Sequence, residues 1–273
     1  MPHLFSQNTA VIASLILIGS APATHAEAPP ATQSQASQSV SESIVADSSA
    51  ISKTSDHDFE QRCRPLFDGT ILSRWEGGMY WFHTDGNAIV AGRLEKPIPQ
   101  NQFLCTMETF INFDLRMDVR MRGTGRNAGV QFRSRRARSS DDGIPRNEVI
   151  GYQADMGQAG NESIWGALYD ESRRRKMLAV PEPRFTVKWT PSSPEHPAET
   201  DPASASDSTP QSEWVSLRIV CVDDQIEIFM NGRRTVAYRE TDPSIPREGV
   251  IGLQIHSGPP SEAWYRNIRI LSL

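Results

Sequence analysis

The chain has 273 residues, with 28 Lys and Arg against 33 Asp and Glu, for a formal net charge of -5. That balance offers no general electrostatic pull toward nucleic acid or anionic lipid, so neither partner is expected. Three scattered cysteines, Cys63, Cys105 and Cys221, lack both the pairing of a disulfide framework and the spacing of a metal site; Cys221 falls on an apolar phase and reads as core.

Residues 1–26 carry an apolar run, Val11 to Ile18, followed by small residues ending at Ala23 or Ala26. The run is far short of the roughly 20 residues that span a bilayer, so it reads as a signal peptide, and the protein is expected to be exported, periplasmic or secreted, with no other membrane contact. Residues 27–59 are rich in Ser, Ala, Gln and Pro and poor in large apolar residues. Such a segment buries too little surface to order itself and is expected to be a disordered linker. Residues 60–273 are long enough for one domain with a full core, interrupted at 191–212 by a Pro-, Ser- and acid-rich stretch expected to be a disordered surface loop.

Phe113 to Arg122 alternates apolar and charged side chains, which predicts a half-buried strand whose charges are solvated. Next come Gly129-Val130-Gln131-Phe132-Arg133 and Gly151-Tyr152-Gln153-Ala154-Asp155, and near the C-terminus Gly252-Leu253-Gln254-Ile255-His256. All three read Gly-x-Gln-x-charged. On a strand each sends its apolar pair to one face and glycine, glutamine and an ionisable group to the other, a plausible floor for a polar ligand if the three are neighbours. A short helical turn is expected near Asp170 to Lys176. Trp214 to Val222 and Gln225 to Met230 are β-rich, and Asn231-Gly232 is a strong hairpin signal before Arg234 to Tyr238. Val250 to His256 and Tyr265 to Leu271 close the chain. Many short strands without alternating helices predict an all-β antiparallel sandwich, a jelly roll.

Several stretches resemble one family in order. Pro65-Leu66-Phe67-Asp68-Gly69-Thr70 with Leu72-Ser73-Arg74-Trp75 is similar to the opening of the 3-keto-disaccharide hydrolase domain family, and Asn127 to Arg133, Gly151 to Asp155 and Gly166 to Asp170 resemble its central strands. Trp214, Asn231-Gly232, Gly252 to His256 and Arg266-Asn267-Ile268 resemble its closing elements, so the resemblance spans 65 to 271. It implies a concanavalin A-like jelly roll holding carbohydrate on one face, and cleavage of glycosides whose sugar is a ketone at C3. Gln153 and Asp155 stand where many relatives have a Glu-x-Gln arrangement.

A C3 ketone acidifies the C2 proton, so that chemistry needs a base and an oxyanion partner. His256 is the first candidate base, and Asp155 is either the base or the group that holds the His256 tautomer. Arg133 suits the ketone oxygen or hydroxyls, with a structural ion pair to Asp155 or Asp170 as its alternative. Tyr169 hydrogen-bonds the sugar, donates a proton, or packs in the core. Trp165, four residues away, is placed to stack on a pyranose, while Gln131, Gln153 and Gln254 suit hydroxyls. A direct two-carboxylate glycosidase is the enzymatic alternative, pairing Asp155 with Glu148, Asp170 or Glu171, and a divalent metal on Asp155 and His256 is a further option. The rival from another class is a non-catalytic carbohydrate-binding or cell-surface module. The arginine runs 133–138 and 173–176 read as solvated charge or as a preference for an acidic sugar.

Overall fold

The computed structural model describes residues 54–190 and 211–273. The expected leader, most of the expected linker and residues 191–210 of the expected loop lie outside the described residues. The chain orders before residue 60, because Ser55 caps a helix, Asp56–Arg62, by accepting the Asp58 N–H at 3.0 Å. Phe59 of that helix is fully buried, with the Arg116 guanidinium 3.9 Å above its ring. At the other edge of the expected loop, Gln211–Ser212 pairs with Trp189–Thr190.

Two antiparallel sheets pack face to face as a jelly-roll sandwich. The larger runs Arg233–Arg239, Gln225–Met230, Val215–Val222, Phe113–Gly123, Ser261–Ser272, Ala88–Arg93, Phe82–Asp85. The other runs Lys176–Ala179, Leu168–Glu171, Val149–Ala159, Asn127–Arg136, Gly249–Ile255, Gln102–Phe110, Trp75–Gly77. The expected helical turn near Asp170 is instead the tip of a β-hairpin, with Ser172 and Arg175 at φ 53° and 52°. Asn231 and Gly232 take φ 48° and 75° between paired strands, the geometry expected of a two-residue hairpin turn.

The core lies between the sheets. Phe113, Leu115, Met117, Val119 and Met121 point inward and are at most 3 % exposed, as their alternation predicts. Their outward neighbours are not simply solvated: Asp114 is fully buried under Arg116 and Arg218. All three cysteines are free. Burial pushes the Cys105 and Cys221 thiols up to about 12, so both behave as apolar packing atoms. Among the described residues no helix is long and apolar enough to cross a membrane.

Candidate functional site

The three Gly-x-Gln strands are adjacent, and their register interlocks them. Gly252 stands between Cys105 and Gln131, Gln131 pairs with Gln153, and Gln153 with Tyr169. One row along, Gln254 pairs with Gly129, and Gly129 with Asp155. Along each strand glycine precedes the glutamine on this face, and Gly129 and Gly252 leave room for the Gln153 and Gln131 side chains beside them. Beneath, Tyr265 reaches across the core from the other sheet and donates to the Gln254 carbonyl at 2.6 Å.

This face is a closed polar layer rather than an open floor. Gln131 and Gln254 are fully buried and Gln153 is 3 % exposed. Ser134 Oγ lies 2.8 Å from Gln131 Oε1, Gln131 Nε2 donates to Gln153 Oε1 at 2.7 Å, and Gln153 Nε2 donates to Asp155 Oδ1 at 2.8 Å. The two amides expected to bind hydroxyls are thus spent on each other, and their chain ends on a carboxyl. Gln254 differs: its Nε2 donates to Glu171 at 3.3 Å, and its buried Oε1 has no partner. Replacing Gly129 by alanine places a Cβ 2.5 Å from Gln153 Cδ. The amide must move, so Gly129→Ala is expected to break both Gln153 bonds and cost about 1–3 kcal/mol, read as a lower Tm without loss of the β-type circular dichroism spectrum.

Ionisable groups gather above this layer around Glu171. Burial pushes the Asp155 carboxyl up to about 8; the Gln153 bond opposes this and the Glu171 charge adds to it. Glu171 is itself raised by burial, opposed chiefly by His256. Burial, then Glu171 and Asp155, raise the Tyr169 hydroxyl. Glu148, raised to about 7 by burial and then by Glu171, lines a cleft of about 320 Å³ with Phe103, Cys105, Arg136 and Arg146 at the sheet edge. His256 Nδ1 is 2.7 Å from the Ser257 carbonyl, which can only accept. The neutral ring therefore carries its proton on Nδ1 and leaves the Nε2 lone pair free. Ser257, not Asp155, sets that tautomer. Among the described residues no three His, Cys, Asp or Glu side chains converge to hold a metal ion.

Three expected site residues lie elsewhere. Arg133 sits at a bulge with φ 46°, which turns its side chain away from the Gly-x-Gln face. Its guanidinium donates to the carbonyls of Ile111 and Asp223 and to Asn112 Oδ1 at 2.7 to 3.1 Å, so it is neither a substrate clamp nor paired with Asp155 or Asp170. Trp165 is 1 % exposed in the central core and has no face to offer a sugar. Asp170 lies on the opposite phase from Tyr169 and Glu171; it is fully buried and held by Arg173 at 2.9 Å and Arg174 at 3.3 Å. Those pairings also remove Arg173 and Arg174 from the solvated run. Arg175, whose charge acts on Tyr169 and Glu148, had no periodic signal because it sits in a hairpin tip; Ser134 is hidden by the same bulge that displaces Arg133.

A larger cavity, 440 Å³, opens on the outer face of the other sheet around Arg116 and Arg218, whose guanidiniums are committed to Asp114. Its charges satisfy each other, so the Glu171 cluster is the better candidate for chemistry.

Among solved structures the chain is similar to a candidate glycosyl hydrolase from Parabacteroides distasonis, with 14 % identity, a TM-score of 0.50, and 80 % of this chain and 97 % of that one covered. It is also similar to a second such protein from that organism (20 % identity, TM-score 0.45, 78 % and 100 % covered) and to a carbohydrate-binding module from Bacillus subtilis (11 %, 0.45, 77 % and 100 %). At these identities the first likeness speaks for the fold alone. No curated protein matches the sequence. The model of one domain family matches residues 62–271, the whole sandwich with its Gly-x-Gln face, and the chain belongs to that family, the 3-keto-alpha-glucoside-1,2-lyase-like domains.

Proposed function

We propose that the protein is an exported enzyme that cleaves 3-keto-glycosides by elimination, with the Glu171 cluster as its active site. The observation that carries this reading is that a His256 ring with a free Nε2 and an Asp155 carboxyl pushed up to about 8 both border Glu171 on one sheet face. One can take a proton where the other can give one. Nε2 removes the C2 proton, and the C2–H electron pair moves into the C2–C3 bond as the ketone becomes an enolate. The Asp155 proton and the Tyr169 hydroxyl stabilise that oxygen. Collapse of the enolate breaks the C1–O bond, the departing oxygen takes a proton, and water then adds its hydroxyl to C1 while a proton returns to C2. The sum is glycoside plus water giving keto-sugar plus alcohol. Glu171 beside His256 stabilises the imidazolium formed in the first step.

The test is release of alcohol from a 3-keto-glucoside and from its unoxidised parent. Turnover of the keto substrate alone is expected. Turnover of the parent would assign a direct two-carboxylate mechanism to Glu148, Asp155 and Glu171 instead, and binding without turnover of either would make this a carbohydrate-binding module.

Asp155→Asn is expected to separate chemistry from stability. The folded protein holds a proton on Asp155 up to about pH 8, whereas the unfolded chain releases it near the ordinary carboxyl value of 3.8. The folded state therefore binds more protons between those values, so this group's contribution to stability falls as pH rises through that window. Asparagine keeps the acceptor for Gln153 and carries no titrating proton. The variant's Tm is expected to be flatter from pH 4 to 8 and higher than wild type above pH 8, by a few kcal/mol of stability, while turnover of the keto substrate drops. A wild-type pH profile no steeper than the variant's would refute the protonated Asp155.

A further inference from the structure

The outward face of the larger sheet carries a row of side chains that the keto-glycoside reading does not use. His83 pairs with Val90, Val90 with Trp264, and Trp264 with Arg120; Trp214 enters the next strand on the far side of Arg120. The Arg120 guanidinium lies 4.3 Å from the Trp264 ring centroid and 4.7 Å from that of Trp214, and Arg266 covers Trp214 at 3.9 Å. Two of the three guanidiniums here have carboxylates. Arg266 bonds Asp118 at 3.2 Å, and Arg122 reaches Glu262 at 3.5 Å while the Trp264 indole N–H donates to the same Glu262 at 2.9 Å. Arg120 has neither a hydrogen bond nor an ion pair among the described residues, and its buried Nε has no acceptor. His83 Nδ1, at the end of the row, is also buried without a partner.

A surplus guanidinium is costly to leave in this state. Burial, and then the charges of Arg122 and Arg266, push Arg120 down to about 10, with Glu262 and Asp85 opposing. An anion bound to Arg120 would oppose all three by favouring its charged form. We propose that this row is a second binding site, where Arg120, clamped between Trp214 and Trp264, takes the carboxylate or sulfate of an acidic saccharide. Contact with both indole rings restrains the guanidinium, whose fork of N–H donors suits a planar or tetrahedral oxyanion. The charge of Arg120, alone of the three in having no carboxylate partner, disfavours a cation. The site lies on the opposite side of the sandwich from the Glu171 cluster and does not depend on the reaction assigned there.

The test is titration of the full chain with glucuronate oligosaccharides, with neutral gluco-oligosaccharides of equal length, and with sodium sulfate, followed by tryptophan fluorescence and indole N–H signals. The acidic oligosaccharide is expected to shift the Trp214 and Trp264 signals saturably and the neutral one to leave them unchanged. Arg120→Met, which keeps the stem over the rings, is expected to weaken binding ~10-fold or more, and Arg120→Lys, which keeps charge but not the fork, by less. Wild-type affinity that rises with oligosaccharide length identifies a glycan ligand; sulfate binding as tightly as the oligosaccharide identifies the bare oxyanion. Absence of any shift with either anion, or wild-type affinity in both variants, overturns the proposal.

Discussion

His256→Ala is expected to lower kcat for a 3-keto-glucoside by ~10²–10⁴-fold, the span that a positioned general base contributes, while the fold and Tm stay close to wild type. The expectation rests on how little holds the ring. His256 is half-buried at the end of its strand, and the hydrogen bond of its side chain is the one to the Ser257 carbonyl. Removing it opens no core cavity and orphans one carbonyl beside solvent, a change within about 1 kcal/mol. The measurement is single-turnover release of the alcohol in wild type and variant, with exchange of the C2 proton into deuterated water as a second readout. A structural role would slow both alike and lower Tm. Loss of C2 exchange in a variant with normal Tm and unchanged KM is the signature of a missing base, and full exchange in the variant would move that role to Glu171.

Asp114→Ala is expected to be the most destabilising single change, about 3–5 kcal/mol, or on the order of 10 °C in Tm at this domain size. Asp114 is fully buried on the outward phase of Phe113–Gly123. Its carboxylate accepts from Arg116 Nη2 at 3.0 Å and from Arg218 Nε and Nη2 at 3.0 and 2.8 Å. Arg116 and Arg218 stand directly opposite each other in the register, so without Asp114 two like charges face each other across adjacent strands. Arg116 keeps a second acid, Asp56 at 2.6 Å, but that carboxylate is 91 % exposed and well screened. A thermal melt of Asp114→Ala beside Asp114→Leu with Arg218→Leu checks the cause. The double variant should regain part of the loss, because it removes one of the opposed guanidiniums and packs the gap. If the single variant melts within 2 °C of wild type, the buried carboxylate is not what holds these strands together.

The local choices in this fold were legible in the residues, and so was the family. Alternation at Phe113 to Met121, the Asn231-Gly232 turn and the Gly-x-Gln repeats each depend on neighbours one or two residues apart, where backbone geometry leaves few options. The repeat identified the strands whose outward face carries the candidate site. Asp155 and His256 belong to that repeat, whereas Tyr169 and Glu171 lie outside it and reach its face only through the pairing of Leu168–Glu171 with Val149–Ala159. Side-chain phase held wherever a strand ran straight, and it failed at bulges: Arg133 follows the repeat's spacing, yet a register shift between Phe132 and Arg135 takes its side chain to the loop carbonyls. Trp165 and Tyr169 are four residues apart but only Tyr169 lies in the Leu168–Glu171 strand, so counting by twos across the intervening turn had no physical basis.

What the sequence alone determined is the Phe113 to Arg122 strand, the strands from Trp214 to Leu271 with their Asn231-Gly232 turn, and the polar face of the Gly-x-Gln repeat; Phe82–Asp85, Ala88–Arg93 and Gln102–Phe110 emerged only in the fold. What only the tertiary structure decided is which polar groups are left unspent. Gln131 and Gln153 satisfy one another while Gln254 Oε1 is left without a partner, Asp170 is neutralised by two arginines, Asp155 keeps a proton because burial and Glu171 disfavour its charge, and Arg120 is left between two tryptophans without an acceptor. Pairing across strands brings together residues tens of positions apart, and a polar group's state depends on those partners and on the water it has lost.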